Sequence, residues 1–256
     1  MLALVLPVIL LALWWVFTMN SPDGLIPQPV QILREFADLV GFSDSGDSFS
    51  GTLWINLLAS AERVYGGFLL AAGLALPLGL LIGQLPLFRR LVDSTLQLLR
   101  PVPVTAWQPL FLILFGLGSH TALLLVALGS FYPMLLNTIL GVRSVEPRLL
   151  EAAAMLGVSR SAMFLKVVLP SAMPGILTGV RLGLGFAWVV IVVGEISGVR
   201  TGLGAMITDA REVSRTDVVI AGMITIGLAG FLTDRAVQAS SRRILSWNPR
   251  LGSTDG

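Results

Sequence analysis

The chain has 256 residues, of which 55% are hydrophobic and only 12% charged, with a formal net charge of +2, one histidine and no cysteine. A soluble domain carries about 25% charged residues, so this composition and a mean hydropathy of +0.85 identify a polytopic, all-α membrane protein. Disulfides and thiolate metal sites are excluded, the single His120 rules out a multi-histidine centre, and the pI of 9.7 reflects basic loops rather than a nucleic-acid surface.

The first apolar run, Leu2 to Phe17, ends on Trp14-Trp15, which suit a membrane interface. It is slightly short for a span. It lacks the basic start and small-residue cleavage site of a signal peptide, so a retained helix is expected. Ser21 to Gly51 is acidic, with Asp23, Glu35, Asp38, Asp44 and Asp47 against Arg34. Within it, Val30 to Val40 reads as a short amphipathic helix and Ser43 to Ser50 as a loop.

Leu53 to Gly83 exceeds the roughly 20 residues a span needs. Val64 to Gly83 fills the hydrocarbon alone, which leaves Glu62-Arg63 at the outer interface. Pro77 predicts a kink, and Gly79 and Gly83 allow close helix contact. The third span, within Leu91 to Leu117, is interrupted by Pro101, Pro103 and Pro109. After the turn Gly116-Leu117-Gly118-Ser119 comes the fourth span, Thr121 to Gly141.

A polar stretch then separates two apolar runs. Pro147 suits a helix's first turn, where its missing N–H costs nothing. Leu149, Leu150, Ala153 and Leu156 recur at helical spacing, and Gly157 is placed to close that helix in a left-handed cap. Ser159 caps a second short helix, Arg160 to Val168, predicted to stop before Pro170. The fifth span, Ala172 to Ser197, carries a packing ridge of Gly175, Gly179 and Gly183. Arg181 and Glu195 lie fourteen residues apart on one face, about 21 Å along the axis. An unpaired charge in hydrocarbon costs at least ~2.5 kcal/mol, so either they face a cavity or they reach the two interfaces. A mixed-charge loop, Arg200 to Asp217, precedes the sixth span, Val218 to Leu232, and a basic tail with Arg242, Arg243 and Arg250.

Basic residues are concentrated on one set of segments: Arg89, Arg90, Arg100, Arg143, Arg148, Arg160, Lys166, Arg242, Arg243 and Arg250. The positive-inside rule makes that side cytoplasmic, with both termini and the hairpin inside.

The hairpin resembles the signature loop of type I importer permeases of the ABC superfamily, E-A-A-x3-G-x9-I-x-L-P. Glu151, Ala152, Ala153, Gly157, Leu169 and Pro170 match it, and Val167 replaces the isoleucine. Arg100-Pro101-Val102-Pro103, Trp107-Gln108-Pro109-Leu110, Phe115-Gly116-Leu117-Gly118, Gly141-Val142-Arg143, Gly175-Ile176-Leu177-Thr178-Gly179, Thr201-Gly202-Leu203-Gly204 and Asp209-Ala210-Arg211 are similar to its nitrate/sulfonate/taurine/bicarbonate branch. The similarity runs from about Leu53 to Arg243.

The resemblance implies the type I permease fold of about six transmembrane helices in the bacterial inner membrane. Residues 1–52 form an N-terminal helix and periplasmic loop, 53–241 the permease domain with its coupling loop 143–171, and 242–256 the tail. It also implies a homodimer, two cytoplasmic ATPase subunits that bind ATP and Mg, and an extracytoplasmic solute-binding protein. This chain itself is expected to hold no cofactor or metal. The expected substrate is a small oxyanion. Coupling falls to Arg148, Glu151, Ala152, Ala153, Gly157, Leu169 and Pro170, and the translocation path to Arg63, Trp107, Arg181 and Glu195.

Two other classes are weaker. A membrane enzyme needs a nucleophile with its base, and Ser119-His120 lacks a partner acid. An ion-coupled secondary transporter or channel would show intramembrane ion sites or a repeat between halves, and no clear repeat is visible. No G-x4-G-K-[ST] loop is present, so the energy source lies in another subunit.

Overall fold

The computed structural model describes residues 5–19, 26–42, 46–99, 101–196 and 198–245. The remaining expectations, for residues 2–4, Asp23, Ser43 and Asp44, Arg100, Ser197 and the tail from 246 with Arg250, lie outside the described residues. Among those described, every regular element is helical.

Four helical runs are long and apolar enough to cross a membrane: α3 (Leu53–Gln84), α6 (Ser119–Arg143), Arg160–Ile196 and the run Thr216–Ile244, α11. Two shorter apolar segments, α1 (Val5–Met19) and Val104–Phe115, complete the expected six. The third is the one that departs most from a simple span. Its first part folds separately as an amphipathic helix, α4 (Pro86–Leu99). A single turn, Val104–Trp107, then leads into α5 (Gln108–Phe115). The break falls at Pro101 and Pro103, whose rings cannot continue a helix, whereas Pro109 sits harmlessly in the first turn of α5.

The core is a sandwich of three helices with α6 in the middle. Glycines set the spacing. On one side, a Cβ on Gly79 would lie 2.7 Å from Thr138 Cβ, and one on Gly83 2.7 Å from Val142 Cβ. On the other side lies α9 (Leu169–Ile196), whose expected ridge meets α6 along its length. A Cβ on Gly175 would come within 2.7 Å of Gly141 Cα, one on Gly179 within 2.8 Å of Asn137 Cβ, and one on Gly183 within 2.8 Å of Met134 Cγ. Backbones that approach this closely gain van der Waals contact, which drives helix association where lipid removes the hydrophobic incentive.

At the end of the bundle opposite the 147–170 hairpin, α2 (Pro29–Val40) and α10 (Leu203–Glu212) close over the core. α2 starts with Pro29 in its first turn and the Gln31 side chain accepting from the Gln28 N–H at 2.8 Å, and it ends on Gly41 at φ 95°. Arg215, just before α11, ties this cover together. It pairs with Glu35 at 2.8 Å, with Asp217 at 3.0 Å and with Asp47. Burial outweighs the Arg215 charge and pushes the Glu35 carboxyl above its usual range. A raised folded pKa means that this carboxyl favours the fold below its ordinary pKa and that the contribution is lost as pH rises through the folded value. Glu35→Gln is therefore expected to melt with the native protein in acid and above it once pH has risen past the folded value of this carboxyl, as measured by thermal unfolding in detergent.

Candidate functional site

Two features stand out from the bundle: a capped hairpin at one end and a buried ion pair near the other. The hairpin begins with α7 (Pro147–Met155), with Pro147 at its first position. Gly157 takes φ 73°, its N–H bonds to Ala154 O at 3.0 Å, and Val158 N–H reaches Ala153 O at 3.2 Å. This is the paired closure of a left-handed helix end. A Cβ on Gly157 would meet no atom within 4 Å, so backbone conformation rather than space demands glycine here.

Ser159 then opens the next helix, its Oγ accepting from the Ala162 N–H. The expected stop before Pro170 does not occur. Arg160 to Ile196 is one continuous run, through α8 (Arg160–Met163), a widened π turn at Phe164–Val168, and α9. The Leu169 N–H bonds back five residues to Phe164 O. The wide turn lets the chain pass Pro170, which has no N–H to give, without breaking the helix. The hairpin's second arm is thus rigidly continuous with the fifth span.

The hairpin turns an apolar surface outward. Met155 and Leu156 are 87% and 82% exposed, and Leu149 and Leu165 are also exposed, as are Arg148, Glu151 and Ala152. Ala153 is buried, holding α7 against the rest of the chain. Leu169 and Pro170 lie half-buried where the hairpin joins α9.

The buried pair joins Arg63 of α3 to Glu195 at the end of α9, at 2.6 Å. Glu195 is 1% exposed, and its carboxylate is fully served. Arg63 NH1 and Ser60 Oγ donate to it, and the Gly204 N–H donates at 2.8 Å. Ser60 Oγ in turn accepts from the Leu203 N–H, Asn56 Oδ1 accepts from the Gly202 N–H, and Thr201 O accepts from Arg63. A Cβ on Gly202 would overlap the Glu195 carboxylate. The loop after the fifth span is therefore folded back and pinned by a carboxylate, which also positions the start of α10. Charges this deeply buried persist only when paired and hydrogen-bonded throughout. Arg63 reaches this pocket rather than an interface because Ser119 Oγ, at 3.2 Å, and Thr201 supply its remaining acceptors.

Arg181 lies apart from that cluster. It makes a two-pronged pair with Asp234 of α11, including NH2 to Oδ2 at 2.7 Å, and both side chains are partly exposed. Trp107 sits in the turn ahead of α5, packed on the main core, and among the described residues no hydrogen bond joins it to Arg63 or Glu195.

Comparison with known proteins settles the class. Residues 75–246 match the family described as the binding-protein-dependent transport system inner membrane component. The chain belongs to this family. It is 40% identical, over 96% of its length and 87% of the relative's, to a Bacillus subtilis protein named as the aliphatic sulfonates transport permease SsuC. It is 37% identical to the taurine transport system permease protein TauC of Escherichia coli, covering 94% of this chain and 87% of TauC. The nitrate import permease protein NrtB of Synechocystis is 32% identical, over 90% of this chain and 83% of NrtB. An inward-facing structure of the MetNI methionine ABC transporter shares the fold, with a TM-score of 0.62 at 17% identity, covering 73% of this chain and 93% of that one.

This ABC importer permease is a multi-pass inner-membrane protein and a transport subunit rather than an enzyme. Family membership decides against the secondary transporter or channel. Several structural residues of the permease were not visible as such in sequence: Ser60, Asn56 and the 201–204 turn as ligands of Glu195 and its loop, and Asp234 as the partner of Arg181. One available signal was Glu195 itself, an acid within an apolar run, followed closely by Thr201-Gly202-Leu203-Gly204.

Proposed function

We propose that this permease forms, with a second copy of itself, the passage for a small oxyanion of the sulfonate, taurine, nitrate or bicarbonate type. The permeases it resembles carry names for sulfonates, taurine and nitrate. A solute-binding protein delivers the anion on the far side, and two cytoplasmic ATPase subunits, which bind ATP and Mg, drive transport. Both termini and the hairpin face the cytoplasm, where the basic residues are concentrated.

The observation that carries this reading is the hairpin. It presents Leu149, Met155 and Leu156 to solvent on a helix closed by a left-handed glycine, and it continues into the fifth span without a break. An apolar helix face of this kind fits a groove in a partner. Movement of that groove reaches α9 directly. Arg148, Glu151 and the small Ala152 lie on the exposed surface for the ATPase to meet.

Two variants test the coupling. Gly157→Ile forces a β-branched residue into a left-handed conformation at roughly 1–2 kcal/mol. It is expected to leave membrane insertion intact and to uncouple ATP hydrolysis from uptake in proteoliposomes. Glu151→Lys is expected to weaken co-purification of the ATPase. Normal assembly, stimulated hydrolysis and uptake in both variants would remove the hairpin from the mechanism. For the substrate, a ligand screen of the cognate binding protein decides: preference for cations or sugars overturns the oxyanion assignment.

A further inference from the structure

One face of α9 is left uncovered: Thr178, Arg181, Leu182, Gly185, Phe186 and Val189 recur at helical spacing and are open except for one pairing. Arg181 is the sole charge on that stripe. It lies level with the body of α6, because Gly179 and Gly183 on either side of it in sequence pack at Asn137 and Met134 of α6. Those positions are about 9–14 Å from the Arg143 end, at 1.5 Å per residue. Lipid tails offer nothing to a half-exposed ion pair at that depth. The neighbourhood is polar as well: Tyr65 and Thr233 hydroxyls meet at 3.1 Å, and Thr233 adjoins Asp234. Gly185, one turn from Arg181 toward Ile196, faces open space, with nothing within 4 Å of a Cβ placed there.

The pairing itself leaves capacity. Asp234 engages Nε and NH2 of Arg181, and NH1 has no acceptor among the described residues. Arg235, beside Asp234, is turned onto the Phe231 ring at 5.0 Å; its charge is felt at the Asp234 carboxylate, but among the described residues it makes no hydrogen bond there. We propose that Arg181 is an anion-binding residue of the passage, held by Asp234 between transport events and taken over by the oxyanion as it passes. A guanidinium fork matches two oxygens of a sulfonate or nitrate as it matches a carboxylate. The tethered Asp234 acts as a competitor, which keeps the bound anion from being trapped, as conduction through any selective passage requires. This inference rests on the oxyanion reading above and names a residue that reads it.

The absence of cysteine from the chain allows a direct test. Gly185→Cys, in the full transporter with ATPase and binding protein in liposomes, is treated with two methanethiosulfonates, one bearing a sulfonate and one a trimethylammonium. Each rate is normalised to that with a free thiol. The sulfonate reagent is expected to be favoured about tenfold, the scale of one nearby charge in a partly screened site, and taurine or nitrate should slow it. Asp234→Asn should raise the preference. Arg181→Met with Asp234→Met should abolish it while assembly persists, since an ion pair replaced by apolar side chains is tolerated. No labelling with or without ATP, or a preference that survives the double variant, overturns the proposal. Uptake separates the two claims. If oxyanion uptake is intact in the double variant, the role of Arg181 fails and the substrate reading stands. If the native protein carries no oxyanion yet labels with the same charge preference, the substrate reading fails and takes the exchange with a transported oxyanion with it, while the anion-attracting site at Arg181 stands.

Discussion

Glu195→Ala is expected to be the most damaging single substitution in the bundle. It leaves Arg63, with a side chain 8% exposed, without its counter-charge, and it strips Ser60 and the Gly204 N–H of their acceptor. Breaking one half of a buried pair costs about 3–5 kcal/mol. Thermal unfolding in detergent, followed by tryptophan fluorescence, should register a loss of that order. Glu195→Gln should not rescue it, because the amide places a donor against either the guanidinium or the Gly204 N–H. The double variant Arg63→Met, Glu195→Leu should recover part of the loss and stop short of full recovery. The Leu203 and Gly204 amides then face an apolar side chain or lose their anchored acceptor, at about 1–3 kcal/mol for each unsatisfied group. A double variant as damaged as the sum of the singles would mean that the two residues do not act as a unit.

Gly175→Leu is expected to be the next most damaging, for a different reason. Its Cβ would fall on the Gly141 backbone, with Asn137 O at 3.2 Å, and backbone cannot move aside as a flexible side chain can. Overpacking of this kind costs about 1–3 kcal/mol. The same change at Gly73 or Gly227 enters open space and should stay within about 0.5 kcal/mol of the native protein. Yield of folded protein from the membrane and detergent melting both read this contrast. Equal damage at all three positions would show that helix propensity or insertion, rather than α6–α9 contact, sets the cost.

What was legible in the sequence was what local spacing controls. Gly157 follows α7 at the position where a left-handed closure ends it, and the ridge Gly175-Gly179-Gly183 requires a close neighbour whatever that neighbour is. The choice of neighbour is not local. Arg63 finds Glu195 at a sequence separation of 132 and Arg181 finds Asp234 at one of 53, and no periodicity in either segment encodes those meetings. The third span was legible in part: its break at Pro101 and Pro103 was expected, the separate fold of the pieces was not. Apolar content made Leu91 to Leu117 look like one interrupted helix, yet two prolines in succession favoured a separate amphipathic α4 and a short α5. Pro170 shows the converse. A proline usually ends the helix before it, but a widened turn just upstream absorbed it, and a turn of that kind leaves no mark on residue type.

That widened turn at Phe164–Val168 also fixes an angular phase. It carries one residue more than an ordinary helical turn, and each residue of an α-helix advances the chain by about 100° and 1.5 Å. Shortening the 164–168 segment by one residue would therefore regenerate ordinary helix and leave the hairpin clocked as it is. Ironing out the turn at constant length would instead swing the hairpin about a quarter-revolution around the axis of the fifth span. The widened turn thus sets the rotational register of the hairpin about the axis of the fifth span, independently of the length of either.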